Sequence, residues 1–191
     1  MITVALYLSC HGFGPGKFRH SEQNIGTYIF YFTSIQPMEV ISLAAAAIVT
    51  EWSERTFWRR FKDGVITREI RHGKAVVELR AIAAHACFPL DDDAVALLAR
   101  ADTGDACAQT ELALLFLEHR KPKGALAWLT LAVKQDDANA MYLLGRAYIT
   151  GEGADTDENL GLMWLAKAAF HRHPLASAVM HAMRARIMRR D

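Results

Sequence analysis

The second half of the chain repeats itself, and a sequence that repeats at this period has to stack like upon like. Trp128 and Trp164 are 36 residues apart, as are Ala125 and Gly161, Ala132 and Ala168, and Ala140 and Ala176. Upstream, Ala108 and Ala140, Leu112 and Leu144, and Phe116 and Tyr148 are each 32 apart. Periods of roughly 20–50 residues mark solenoids and arrays, in which each unit buries its apolar face only against its neighbours. The four-residue difference between the two spacings gives the first unit the shorter loop. Each unit reads as two helices: Ala108 to Leu117 with Lys123 to Lys134, then Asn139 to Thr150 with Glu158 to Phe170.

Ala and Gly at the helix crossings let the pairs approach closely, while Leu, Tyr, Phe and Trp fill the space between. The second unit carries Ala140, Leu144-Gly145, Tyr148, Gly151-Glu152-Gly153, Asp157, Trp164, Lys167-Ala168-Ala169 and Ala176. On these residues it resembles the Sel1-like repeat, a TPR-like family whose distinctive turn is the Gly-x-Gly loop. The resemblance implies a short α/α solenoid that holds a protein partner rather than performing chemistry. It also implies structural roles for Leu112, Phe116, Trp128, Ala140, Leu144, Gly145, Tyr148, Gly151, Gly153, Trp164 and Ala168. Trp164 stands at the repeat's large core site, in register with Trp128. Two departures are Gly161, where the family prefers Ala, and the first unit's loop, Glu118 to Lys123, which lacks the glycines. Ala94 to Ala101 reads as the second helix of a preceding half-unit and Ala176 to Met188 as the first helix of a following one. These half-units would cap the stack.

Ahead of the repeats, Val40, Leu43, Ala44, Ala47 and Ile48 recur at helical spacing, so Glu39 to Val49 reads as a helix. Ser53 supplies an N-cap for a second helix with Phe57 and Phe61 on one face, ending before Gly64. Val65 to Arg71 and Lys74 to Leu79 are β-prone runs joined at His72-Gly73, a hairpin signal. Ala81 to Ala86 reads as a short helix. The stretch from Leu43 to Gly64 resembles the bacterial helix-turn-helix at Leu43, Ala46, Ala47, Trp52, Ser53, Thr56 and Arg59, with Glu51 where the family has its turn glycine. A hairpin directly after the second helix is the layout of a wing. The resemblance implies binding to double-stranded DNA, with the second helix in the major groove. Ser53 and Thr56 would reach phosphates, Glu54 and Arg55 would meet base edges, and Arg59 and Arg60 would contact the backbone, with Arg71, His72 and Lys74 at the wing tip. The competing interpretation is a solvated basic helix packed on the repeats.

The fold expected is therefore mainly α: residues 38–88 a winged helix-turn-helix with a small β-hairpin, and residues 89–191 Sel1-like repeats with half-repeat caps. Residues 1–37 fit neither part. Ile2 to Leu8 is shorter than a membrane span of about 20 residues. Leu6 to Cys10 only distantly resembles a lipoprotein cleavage site, with Tyr7 where Leu is wanted and no basic start. Gly12 to Lys17 lacks one residue of a phosphate-loop spacing and has Phe18 at the metal-binding position. Thr27 to Ile35 is strand-prone without a partner strand, and the segment is expected to be disordered, or untranslated if synthesis starts at Met38.

Charge is unevenly spread. Glu39 to Arg80 holds eight basic and six acidic residues, +2; Ala81 to Leu160 holds six and thirteen, −7; Gly161 to Asp191 holds six and one, +5. That pattern excludes a uniformly nucleic-acid-coating protein and leaves room for a local basic reader. Arg184, Arg186, Arg189 and Arg190 read as a solvated face. Cys10, Cys87 and Cys107 form no C-x-x-C pair and read as small buried hydrophobes. His171, His173 and His181 lack a further ligand at metal spacing. No nucleophile, paired-carboxylate or cofactor motif is present in the sequence, so neither enzyme activity, metal nor cofactor is expected. The sequence supports a cytoplasmic DNA-binding regulator whose repeats bind a protein, with a protein-interaction scaffold lacking any DNA role as the alternative. The partner and the oligomeric state are not written in the sequence.

Overall fold

The computed structural model describes residues 40–188. The expectations for residues 1–37, for Cys10 and for Arg189 and Arg190 lie outside the described residues. The described chain begins with a strand, not a helix: β1 is Val40–Ser42 and the first helix, α1, is Leu43–Thr50. Helical spacing had drawn Val40 into the helix. Ser42 instead takes an extended conformation and its Oγ accepts the Ala45 N–H at 3.1 Å, which fixes the helix start one residue later. The β-branched pair Val40-Ile41 is thereby free to pair in a sheet, where Ile41 is buried.

Helix α2, Glu54–Lys62, follows a tight turn in which Glu51 adopts the left-handed conformation, φ 55° and ψ 20°. That is the position where the resemblance has glycine, and the geometry that makes glycine suitable there is present in this chain. Strands β2, Arg68–Arg71, and β3, Lys74–Glu78, form a hairpin whose two loop residues, His72 and Gly73, both have positive φ (50° and 76°), as a type I′ turn requires. β3 lies centrally in an antiparallel sheet of order β1-β3-β2, with Ile41 opposite Val77 and Arg68 opposite Val77 on the other side. A short helix, α3, Leu79–Ala83, leads out of β3.

The rest is helix against helix. α4 (Asp92–Asp102), α5 (Ala106–Glu118), α6 (Pro122–Ala132), α7 (Ala138–Thr150), α8 (Glu158–Phe170) and α9 (Pro174–Ile187) pack consecutively, and a 3-10 turn, Val133–Gln135, extends α6. Both expected helix pairs are present, and a helix lies at each flanking position, Asp92–Asp102 and Pro174–Ile187. Each repeat-bearing first helix is capped by side chain: Asp105 Oδ1 accepts from Ala108 at 3.0 Å, Asp137 Oδ1 from Ala140 at 2.6 Å, and His173 Nδ1 from Ala176 at 3.2 Å. The three caps fall at the 32- and 36-residue spacings of the repeat, so His173 occupies a site held elsewhere by aspartate.

The α7–α8 pair closes over two glycines. A Cβ on Gly145 would sit 2.9 Å from the Gly161 carbonyl oxygen, and one on Gly161 would sit 2.8 Å from the Gly145 oxygen and 2.5 Å from Ile149 Cγ1. Gly161, the residue that departs from the repeat consensus, is thus matched to its own neighbour. Within the core, Leu112, Phe116, Trp128, Ala140, Leu144 and Ala168 are buried, and one apolar cluster runs from Ile41 to Ala176. Trp164 packs against this core less deeply than Trp128. It is only half-buried, with the Lys167 ammonium 4.4 Å from its ring centroid, because α9 alone stacks beyond this unit whereas Trp128 has helices on both sides. Tyr148 is likewise half-buried.

The sheet-bearing part shares this core. Asp102, at the end of α4, receives both the Ser42 N–H (2.7 Å) and the Ser42 hydroxyl (2.5 Å), and Phe88 lies edge-on to Phe116 and stacked on His119. Lys121, between α5 and α6, pairs with Glu51 in the α1–α2 turn at 2.7 Å.

Candidate functional site

Two surfaces carry chemistry. The first is the outer face of α2 with the hairpin. Phe57 is fully buried, with Trp52 edge-on to it at 5.2 Å, and this fixes the rotation of the helix. Arg55, Arg59 and Lys62, at spacings i, i+4 and i+7, consequently share the opposite, exposed face over about 10 Å of helix. Ser53 caps the helix, accepting the Thr56 N–H at 3.3 Å, and its hydroxyl is 3.0 Å from that of Thr56. Glu54 is exposed beside them. From Ser53 to Lys74 there are seven basic and three acidic residues, +4.

Arg60 is turned elsewhere. Its guanidinium lies 4.0 Å from the Trp52 ring centroid, and its Nε is buried with no hydrogen-bond partner among the described residues. It therefore braces the turn against α2, away from the face that Arg55 and Arg59 share. At the hairpin, Arg71 is engaged with Glu69 at 2.9 Å, while His72 and Lys74 are exposed at the turn. Missed by the sequence reading, Trp58 is 46% exposed on α2 with the Arg68 guanidinium over its ring, and Ile70 is 64% exposed on β2. Arg68 and Trp58 are ten residues apart in sequence, so only the folded hairpin brings them together.

The second surface is a groove of about 240 Å³ where α5, α6 and α7 meet. Leu117, Pro122, Leu126 and Leu143 are among its walls, with Arg146 on α7 and Glu152 in the α7–α8 loop at its edge. The Gly-x-Gly loop builds that edge. Gly151 ends α7 in the left-handed conformation, and a Cβ on Gly153 would come 2.8 Å from the Pro122 carbonyl, so the loop lies directly on the start of α6. Glu152, the residue between them, is exposed. Leu126 and Leu143 belong to no sequence motif, and Glu152 enters one only as the middle residue of the Gly-x-Gly loop, so the groove takes shape only once the helices are assembled.

Of the three histidines, His173 has a structural role. Buried His173 stacks on Tyr142 at 4.4 Å between centroids, and its Nδ1 is occupied by the Ala176 N–H. Burial pushes its pKa below the usual histidine value, against the opposing pull of Asp137. Among the described residues, no three His, Cys, Asp or Glu side chains converge as a metal site. Cys87 and Cys107 are half-buried, and burial first, then Glu51, pushes the Cys87 thiol pKa up. Among the described residues, no helix is long and apolar enough to cross a membrane.

This architecture defines an α/α-repeat protein with a small three-stranded sheet joined to its N-terminal side. The chain is similar to a solved Sel1 repeat protein from Oxalobacter formigenes, at 32% identity over 52% of this chain and 31% of that one, with a TM-score of 0.45. It spans about a third of that protein's length. No protein-family model and no curated protein matches the chain.

Proposed function

We propose that the chain is a binding module of the Sel1-like kind, whose stacked helix pairs hold a protein partner. The observation that supports this most is the open groove between α5, α6 and α7, walled by leucines that the stacking leaves half-buried. A solenoid that buries its core between neighbours while leaving such a groove unfilled has a surface suited to a partner's side chain. The test is retention: the immobilised full chain should hold a defined protein from an extract of its own cells at physiological salt, and the heat-unfolded chain should not. Retention of nothing above that control overturns the proposal.

A second function is supported by a separate observation, the shared exposed face of Arg55, Arg59 and Lys62 beside the hairpin tip of His72 and Lys74. On it, the sheet and helices α1 and α2 form a winged helix-turn-helix that binds double-stranded DNA, and the chain is a bacterial, cytoplasmic transcriptional regulator. Ser53, Thr56 and Arg59 then hold phosphates and Glu54 and Arg55 face base edges. Affinity for a random duplex that falls steeply with salt is the expected result. No affinity at low salt leaves the scaffold alone.

A further inference from the structure

The groove mixes leucine walls with charge. Its walls come from three helices, yet its two charged residues, Arg146 and Glu152, have opposite signs and belong to no ion pair among the described residues. At about 240 Å³ it falls below the roughly 300–1,000 Å³ usual for a small-molecule or cofactor site and suits one or two side chains. The loop glycines explain why the acidic edge is held in place: Gly153 is packed on Pro122, and the Glu152 N–H donates to the Ala147 carbonyl at 3.0 Å. Arg146 stands on α7, with its guanidinium 5.9 Å from the Tyr142 ring centroid and its side chain exposed.

We propose that this groove receives a short linear segment of a partner protein, which places one aliphatic side chain between Leu126 and Leu143, a carboxylate against Arg146 and a basic group against Glu152. The proposal rests on the repeats being a partner-binding module and names the chemistry of what they bind. Burial of the aliphatic anchor supplies affinity, and the two opposite charges fix the direction in which the segment lies, since reversal would set like charges together.

The probe is a display library of short random peptides, selected on the full chain. Enriched peptides should share a Leu, Ile or Met with an acidic residue close on one side and a basic residue on the other. Leu126→Asp should weaken a synthesised winner by roughly 10–100-fold, the equivalent of losing one buried aliphatic side chain. Arg146→Glu, at an exposed position where folding is not in question, should shift the selected residue at the acidic position to a basic one. Three results overturn the groove assignment: no enrichment above the unfolded-chain control, winners that bind both variants as tightly as the original chain, or self-association abolished by Leu126→Asp, which would give the groove to a second copy. A cellular partner still retained by both variants would leave the module intact and the groove assignment refuted.

Discussion

Trp128 gives the sharpest test of the packing. It is 1% exposed and sits between the helices of the first unit and the second. An aromatic side chain buries about 150–250 Å², so at about 25 cal/mol per Å² the gross contribution is about 4–6 kcal/mol. Truncation to alanine in a core commonly costs about 3–5 kcal/mol. Here an opposing effect operates: Nε1 is buried with no hydrogen-bond partner among the described residues, which itself costs about 1–3 kcal/mol. Trp128→Ala removes that cost with the ring, and the expected net loss is about 2–3 kcal/mol. Trp128→Phe keeps most of the apolar contact and deletes the unsatisfied donor, so it should lie within about 1 kcal/mol of the original chain. Urea unfolding followed by far-UV circular dichroism measures both, with the midpoint moving and the slope unchanged. If Trp128→Phe costs as much as Trp128→Ala, the indole N–H is satisfied and the reasoning is wrong.

Trp164→Ala should cost only about 1–2 kcal/mol, less than a fully buried aromatic, because its ring is only partly buried; urea unfolding that places it above Trp128→Ala would contradict this. The His173 pKa is lowered in the fold, so its contribution is complete above the ordinary histidine value near 6.5 and is lost as pH falls below it, where protonation removes the acceptor for Ala176. His173→Asn, which caps without titrating, should flatten the fall in melting temperature across that window; an unchanged fall assigns it to other groups. Asp102→Ala leaves both Ser42 donors without their acceptor and should cost about 1–3 kcal/mol, measured by the shift in urea midpoint; no shift would mean that Ser42 and Asp102 do not tie the sheet to the repeats.

The helices of the repeats were legible because they carry strong local signals: an Asp cap on α4, α5, α7 and α8, a proline at the start of α6 and α9, apolar residues at helical spacing and an internal copy to compare with. The His72-Gly73 turn was legible for the same reason, since both residues tolerate positive φ. β1 was not. Three residues that fit a helical spacing become a strand only through Val76, Val77 and Glu78, more than thirty positions away. Arg60 counted as one basic residue among four on its helix, and nothing local said that Trp52 would take it. The exposure of Trp164 depends on its place near the end of the stack, which a repeat consensus does not encode. His173 lies 36 residues after Asp137, the repeat's own spacing, and that spacing marks it as a cap. The groove needed three helices and a loop to exist at all.

The central claim, that the repeats rather than the basic sheet-bearing part hold the partner, is tested most directly by hydrogen exchange on the full chain with and without the protein it retains. The account expects slowed exchange in residues 114–129 and 143–153, the walls and edge of the groove, with residues 54–74 unchanged. Slowing confined to residues 54–74 would contradict it.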